Sequence, residues 1–203
     1  MTKVKTLFIK AIILLSFFIS FSNADSVWNR TNLYDSTNDS YYIPYELWTG
    51  AKWDGKKELR FHNADLNFMG NKSIIGPKEF YHEKVDKNIQ VYERTNKGKV
   101  QLFTFYDFGI GRVYDNRKER YFDGGAKFPA GFGWKLHEIK EFSQTEWKKG
   151  NEKVRTLGIK IVELKFNDEN NLESMTYEFY VKGDLDHTYT YEPNKGMISL
   201  EKN

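Results

Sequence analysis

The amino-acid sequence predicts a mainly β protein. It reads as one antiparallel β-rich domain, sandwich or open barrel-like, with a C-terminal meander, at most one short helix and a signal peptide ahead of it. Three observations predict this. Turn signals recur at Thr49-Gly50, Asp54-Gly55, Met69-Gly70-Asn71, Gly76-Pro77, Asn96-Lys97-Gly98, Asp123-Gly124-Gly125, Lys149-Gly150-Asn151, Asn167 to Asn171 and Pro193 to Gly196. The runs between them are rich in Tyr, Phe, Val, Ile and Thr, whose branched or flat side chains suit a pleated surface. Aromatic residues make up 17% of the chain, which fits a thin β core filled by large rings.

The first element in order is the N-terminal segment. Residues 1–10 carry Lys3, Lys5 and Lys10 and no acid, residues 11–21 (AIILLSFFISF) are apolar, and Ser22-Asn23-Ala24 offers small residues at a cleavage site. That is the layout of a secretory signal peptide over residues 1–24. The apolar run falls short of the roughly 20 residues that span a bilayer, so membrane contact is expected only through the uncleaved signal peptide. The sequence therefore places the protein outside the cytoplasm, periplasmic or secreted, and of bacterial type. The chain has no cysteine, which removes disulfides, thiol nucleophiles and thiolate metal sites.

Cleavage changes the charge. The chain holds 31 Lys+Arg against 28 Asp+Glu, and three of those lysines lie in residues 1–24 with no acid among them. The remaining chain is formally neutral, with 28 bases and 28 acids. A nucleic-acid partner demands a basic excess to neutralise phosphates, so no nucleic acid is expected.

Residues 25–43 (DSVWNRTNLYDSTNDSYYI) are polar and without period, and read as a flexible N-terminal arm pinned by Trp28 or by Tyr41 and Tyr42. Residues 44–203 form the single β-rich domain. Within it Ile89–Arg94 and Lys99–Tyr106 pair as a hairpin across a glycine-containing loop. Residues 153–166 and 172–182 flank the polar loop 167–171. Met175, Tyr177, Phe179 and Val181 keep strict period 2 and share a face. On the preceding strand Leu157, Ile159 and Ile161 share a face, while Leu164 and Phe166 have the opposite parity, so a bulge is expected at Ile161-Val162. Residues 187–191 alternate again and return through 193–196 to 197–200. The segment 133–149 fits a short helix or a strand equally well, since Leu136, Ile139 and Phe142 recur at i, i+3 and i+6 but Trp134 and Trp147 do not extend the stripe.

The chemistry-bearing residues are scattered. Tyr45, Trp48 and Trp53 stand among turn residues, where indole faces suit a stacking platform for a sugar ring or another flat ligand. The alternative is that these rings plug the open end of a sandwich or barrel. Arg112, Arg117 and Arg120 interleave with aromatics and suit an acidic ligand, unless Asp115 and Glu119 satisfy them as ion pairs. The expected ligand-binding set is therefore Trp48, Trp53, Tyr45, Arg112 and Arg117. The glycine-rich stretches 108–112 and 131–133 do not complete a phosphate-binding fingerprint, and His62, His82, His137 and His187 lack metal-ligand spacing. No catalytic constellation, metal site or cofactor is predicted. The function expected is an exported, non-enzymatic envelope or periplasmic protein that binds an unidentified ligand or an envelope protein. The alternatives are a periplasmic hydrolase using Glu138 or Glu141 with His137 in carboxylate acid/base chemistry, and a structural partner of an envelope complex.

Overall fold

In the computed structural model, residues 28–53, 56–59, 74–96, 98–193 and 196–203 are described. The predicted signal peptide, the turns at 54–55 and 69–71 and His62 lie outside the described residues, as does the Trp53 side chain.

Among the described residues the structure is mainly β and antiparallel, with one short α-helix, and the sheet they form does not close into a barrel. The strands of the large sheet follow chain order. They are β3 (Thr49–Trp53), β4 (Lys56–Leu59), β5 (Ile74–His82), β6 (Lys87–Asn96), β7 (Lys99–Tyr106), β8 (Gly109–Asp115), β9 (Arg120–Gly124), β12 (Ile139–Lys148), β13 (Asn151–Phe166), β14 (Leu172–Val181), β15 (Asp184–Glu192) and β16 (Gly196–Lys202). Each is hydrogen-bonded to its predecessor in this path. Such a meander needs only short turns, as antiparallel neighbours allow.

The expected hairpin is β6–β7, with Thr95 opposite Val100. The expected C-terminal meander is β13 to β16. The pairing of β13 with β14 slips between Ile161 and Glu163, leaving Val162 as the extra residue. That bulge is where the change of parity demanded one. Segment 133–149, open between helix and strand in the sequence, is a strand over Ile139–Lys148. Phe142, Gln144 and Glu146 alternate into the interior while Glu141, Ser143 and Thr145 are more open.

The chain leaves the sheet once, between β9 and β12. Gly124 and Gly125 have φ of 69° and 72°, a left-handed conformation that side-chain-bearing residues seldom adopt. A Cβ on Gly125 would stand 2.9 Å from Leu157 Cδ1. The turn sends Ala126 to Ala130 into the concave side, where β10 (Phe128–Pro129) pairs with the Gly109–Ile110 end of β8. The following β11 (Gly131–Trp134) pairs with β2 (Ser40–Ile43), which also carries β1 (Tyr34–Asp35). This three-stranded sheet packs its Tyr41, Ile43 and Trp134 into the main core.

Residues 28–43, expected as a flexible arm, are part of the fold. Asn29 caps the helix α1 (Arg30–Leu33) and bridges to Asn171, and Leu33, Tyr41 and Ile43 are buried. Trp28 and Tyr42 do pack against the core, and so do Leu33, Tyr34, Tyr41 and Ile43 of the same segment.

Both faces of β6–β8 are used. Tyr92, Phe103 and Ile110 join the main core, whereas Val91, Leu102 and Val113 form a second cluster with Phe80 and Tyr114. The end of β5 folds back over that second face. Its His82 Nε2 lies 2.8 Å from the Phe122 carbonyl, and the Phe80 ring is 5.8 Å from Tyr114. Both faces of the sheet at β6–β8 are therefore covered by side chains.

Candidate functional site

The concave face has two ends of opposite character. At one end the interior is full. The chain leaves β2 through Pro44 into a 3-10 turn, Tyr45–Leu47, which delivers Trp48 to the centre of the core. Trp48 is 0% exposed. Its ring centroid lies 4.4 Å from Tyr191 and 5.1 Å from Phe128, and its indole N–H donates to the Pro129 carbonyl at 2.7 Å. That bond satisfies the one polar atom of a side chain otherwise suited to an apolar site. Trp48 therefore offers no face to a ligand, and the plug is the arrangement present. Tyr45 is half-buried, lies tilted against the Phe105 ring at 5.4 Å and donates its hydroxyl to the Tyr106 carbonyl.

At the other end the same concave face turns from apolar to charged. Register carries this change. Arg94 stands opposite Gln101, Gln101 opposite Asp115, Asp115 opposite Arg120, Phe122 opposite Glu146, and Gln144 opposite Arg155. Directly opposed residues share a face, so this row runs across β6, β7, β8, β9, β12 and β13. A register shift near Val113 returns Arg112 to the same side.

The carboxylates of the row are ion-paired, although Glu146 Oε1 is buried without a hydrogen bond. Asp115 accepts from Arg117 Nε at 2.9 Å and Nη2 at 2.5 Å, and from Gln101 Nε2 at 2.9 Å. These contacts hold its carboxyl well below the usual range despite burial. Arg112 reaches Asp115 only at 3.4 Å. Glu146 is shared between Arg120, at 3.0 Å, and Arg155. The cations remain in excess. Burial, with neighbouring guanidinium groups, pushes Arg94 and Arg112 down to about 10.

Lys127, entering the interior just after Gly125, is pushed down to about 7 by burial and by the charges of Arg112 and Arg94. Its ammonium lies 6.0 Å from the ring centroids of Phe128 and Phe179. Two clefts open beside this end. One, of about 530 Å³, is lined by Glu146, Lys153, Arg155, Val181 and Asp186 among others. The other, of about 370 Å³, lies between Arg120, Glu146, Lys148 and Lys153.

The structure separates the five residues expected to bind ligand. Tyr45 and Trp48 belong to the filled end. Arg112 and Arg117 belong to the charged end, where the ion pairing weighed in the sequence is present at Asp115, with Glu146 in the place considered for Glu119. The sequence reading missed Arg94, Lys127, Glu146 as an ion-pair hub, and Arg155. For Glu146 and Arg155 the signal was a charged residue in alternation with Phe142 and Leu157 respectively, which points it inward.

The hydrolase residues do not converge: His137, Glu138 and Glu141 are exposed and line neither cleft. His187 Nδ1 sits 2.6 Å from Asp186 Oδ2, and no group of metal-ligating side chains occurs among the described residues. No family model, curated protein or solved structure matches the chain.

Proposed function

We propose that this is an exported, non-enzymatic binding protein of the cell envelope whose ligand enters the open, charged end of the curled sheet. The observation that carries the reading is the asymmetry of the concave face. One end is packed solid by Trp48, Phe128 and Tyr191, while the other keeps a row of charged side chains beside two clefts that share Glu146 and Lys153. Inward charges that serve only folding are costly, because desolvation outweighs what pairing returns. A ligand that completes the pairing offsets that cost, and concave sites with convergent polar groups are where small ligands bind. Export is the setting the N-terminal segment supplies, and the formally neutral chain that cleavage leaves gives nucleic acid no purchase.

The reading is tested by backbone amide NMR on the chain beginning at Asp25, titrated with panels of anionic, cationic and neutral small molecules. The expected result is perturbation centred on residues 112–127, 144–155 and 179–187. Responses confined to any other surface, with these segments unmoved, overturn it.

A further inference from the structure

The charge count at the open end decides what kind of ligand it takes. Arg94, Arg112, Arg117, Arg120, Lys127 and Arg155 bring six cations to or beside the row, against Asp115, Glu146 and Asp186. Asp186 in turn contacts His187. These cations outnumber these carboxylates in a partly dehydrated interior, where like charges repel strongly.

Specific donor atoms are also left over. The Nε atoms of Arg112, Arg120 and Arg155 are buried with no hydrogen-bond partner. A guanidinium normally directs its N–H groups at carboxylate or phosphate oxygens, often in pairs, and an unsatisfied buried donor costs free energy. The Cζ atoms of Arg112 and Arg155 lie 5.6 Å and 5.8 Å from the Phe122 ring centroid. The Lys127 ammonium has no hydrogen bond or ion pair to another described residue, and Arg112 and Asp186 are among the charges that act on it. Arg155 and Asp186 both line the larger cleft, which gives access from solvent.

We propose that the open end is an oxyanion site for a small, multiply charged ligand of the phosphate-ester or diphosphate class, held by Arg112, Arg155 and Lys127. This rests on the reading of the open end as the binding site. Donors that arrive from β8, from β13 and from the β9–β10 connection approach from separate directions. A tetrahedral oxyanion presents oxygens out of any one plane, whereas the acceptor sites of a single carboxylate lie close to its own plane. The apolar end excludes the other common form of anion, an acyl-chain amphiphile, because Trp48, Phe128, Ala126 and Ala130 already fill the space a chain would need.

Isothermal calorimetry with pyrophosphate, citrate and maltose at pH 6.5 tests the proposal, on the chain from Asp25 and its Arg155→Gln, Lys127→Met and Lys165→Gln variants. Pyrophosphate is expected to bind more tightly than citrate, and maltose to give no heat. Arg155→Gln and Lys127→Met are each expected to weaken pyrophosphate at least tenfold. Lys165→Gln, which alters an exposed pair with Glu173, is expected to leave binding unchanged. If Arg155→Gln fails to fold, Lys127→Met carries the test, since the methionine keeps the apolar stem.

Tighter binding of citrate overturns the phosphate class. Pyrophosphate binding that ignores both variants overturns the site. Maltose binding at the open end overturns the oxyanion inference and leaves the open-end reading standing, whereas binding of every probe elsewhere overturns both.

Discussion

Lys127 lies on the concave side among Phe128, Phe179 and two arginines, and its charge is costly there. The groups that face it are Arg94 from β6, Arg112 from β8, Arg117 from the β8–β9 turn and Asp186 from β15. Its amine is pushed down to about 7 in the folded protein, whereas an unfolded lysine titrates near about 10.4. Between those values the unfolded chain binds a proton that the folded chain does not. Stability therefore rises with pH from about 7 to about 10, and the full penalty is present below about 7. Lys127→Met removes the penalty. Thermal unfolding at pH 6 is expected to show a higher Tm for the variant, and its Tm is expected to lose the rise that the parent shows toward pH 9.5. A lower Tm for the variant at pH 6 contradicts this account of Lys127. Trp48 represents the opposite case. It is fully enclosed and satisfied, so Trp48→Ala is expected to cost about 3–5 kcal/mol in chemical denaturation. The sequence placed Trp48 among turn residues, which ordinarily means exposure. It could not show that this turn lies within the concavity of the sheet.

At the scale of elements, β11 and the segment before it depend on one backbone position. Gly131 has φ of +81°, and a Cβ there would meet the Asp107 carbonyl oxygen at 2.0 Å. Gly131→Ala is therefore expected to displace β11 from β2 and to cost more than about 1–3 kcal/mol, the range for a strained backbone position. Amide exchange in Ser40–Ile43 reads the displacement directly, and unchanged protection there contradicts it. Elements with strict alternation were legible. The β6–β7 hairpin, the strands β13 to β16 and the bulge at Val162 all follow from which residues must share a face. The strand Ile139–Lys148 was not decidable, because its inward positions are Phe142, Gln144 and Glu146. Two polar residues on the inner face erase the period-2 signal. Glu146 at one of these positions is shared by Arg120 and Arg155, so what hid the strand also hid the charged row. The packing of segment 28–43 is not legible for a related reason. Its buried residues include the polar Ser40, and Leu33 is separated from Tyr41 and Ile43 by a polar stretch.

For the whole molecule, the meander produces an interior with one closed apolar end and one open charged end, and the account assigns structure to the first and binding to the second. The N-terminal segment adds a separate expectation. Intact mass of the protein recovered from the envelope or medium of an expressing bacterium should begin at Asp25, and a mass that includes Met1 contradicts export with cleavage. The charge distribution explains why global composition pointed nowhere. A chain with a formal net charge of only +3 still gathers Arg94, Arg112, Arg120 and Arg155 along one row, and strand register reveals this. The most direct test is side-chain NMR of the arginine Nε–Hε groups with pyrophosphate added to saturation. The account predicts that the resonances of Arg112, Arg120 and Arg155, whose Nε atoms are buried without partners, shift and become protected from solvent exchange, while that of Arg117, already bound to Asp115, moves little. Unchanged Arg112 and Arg155 resonances at saturating pyrophosphate would contradict it.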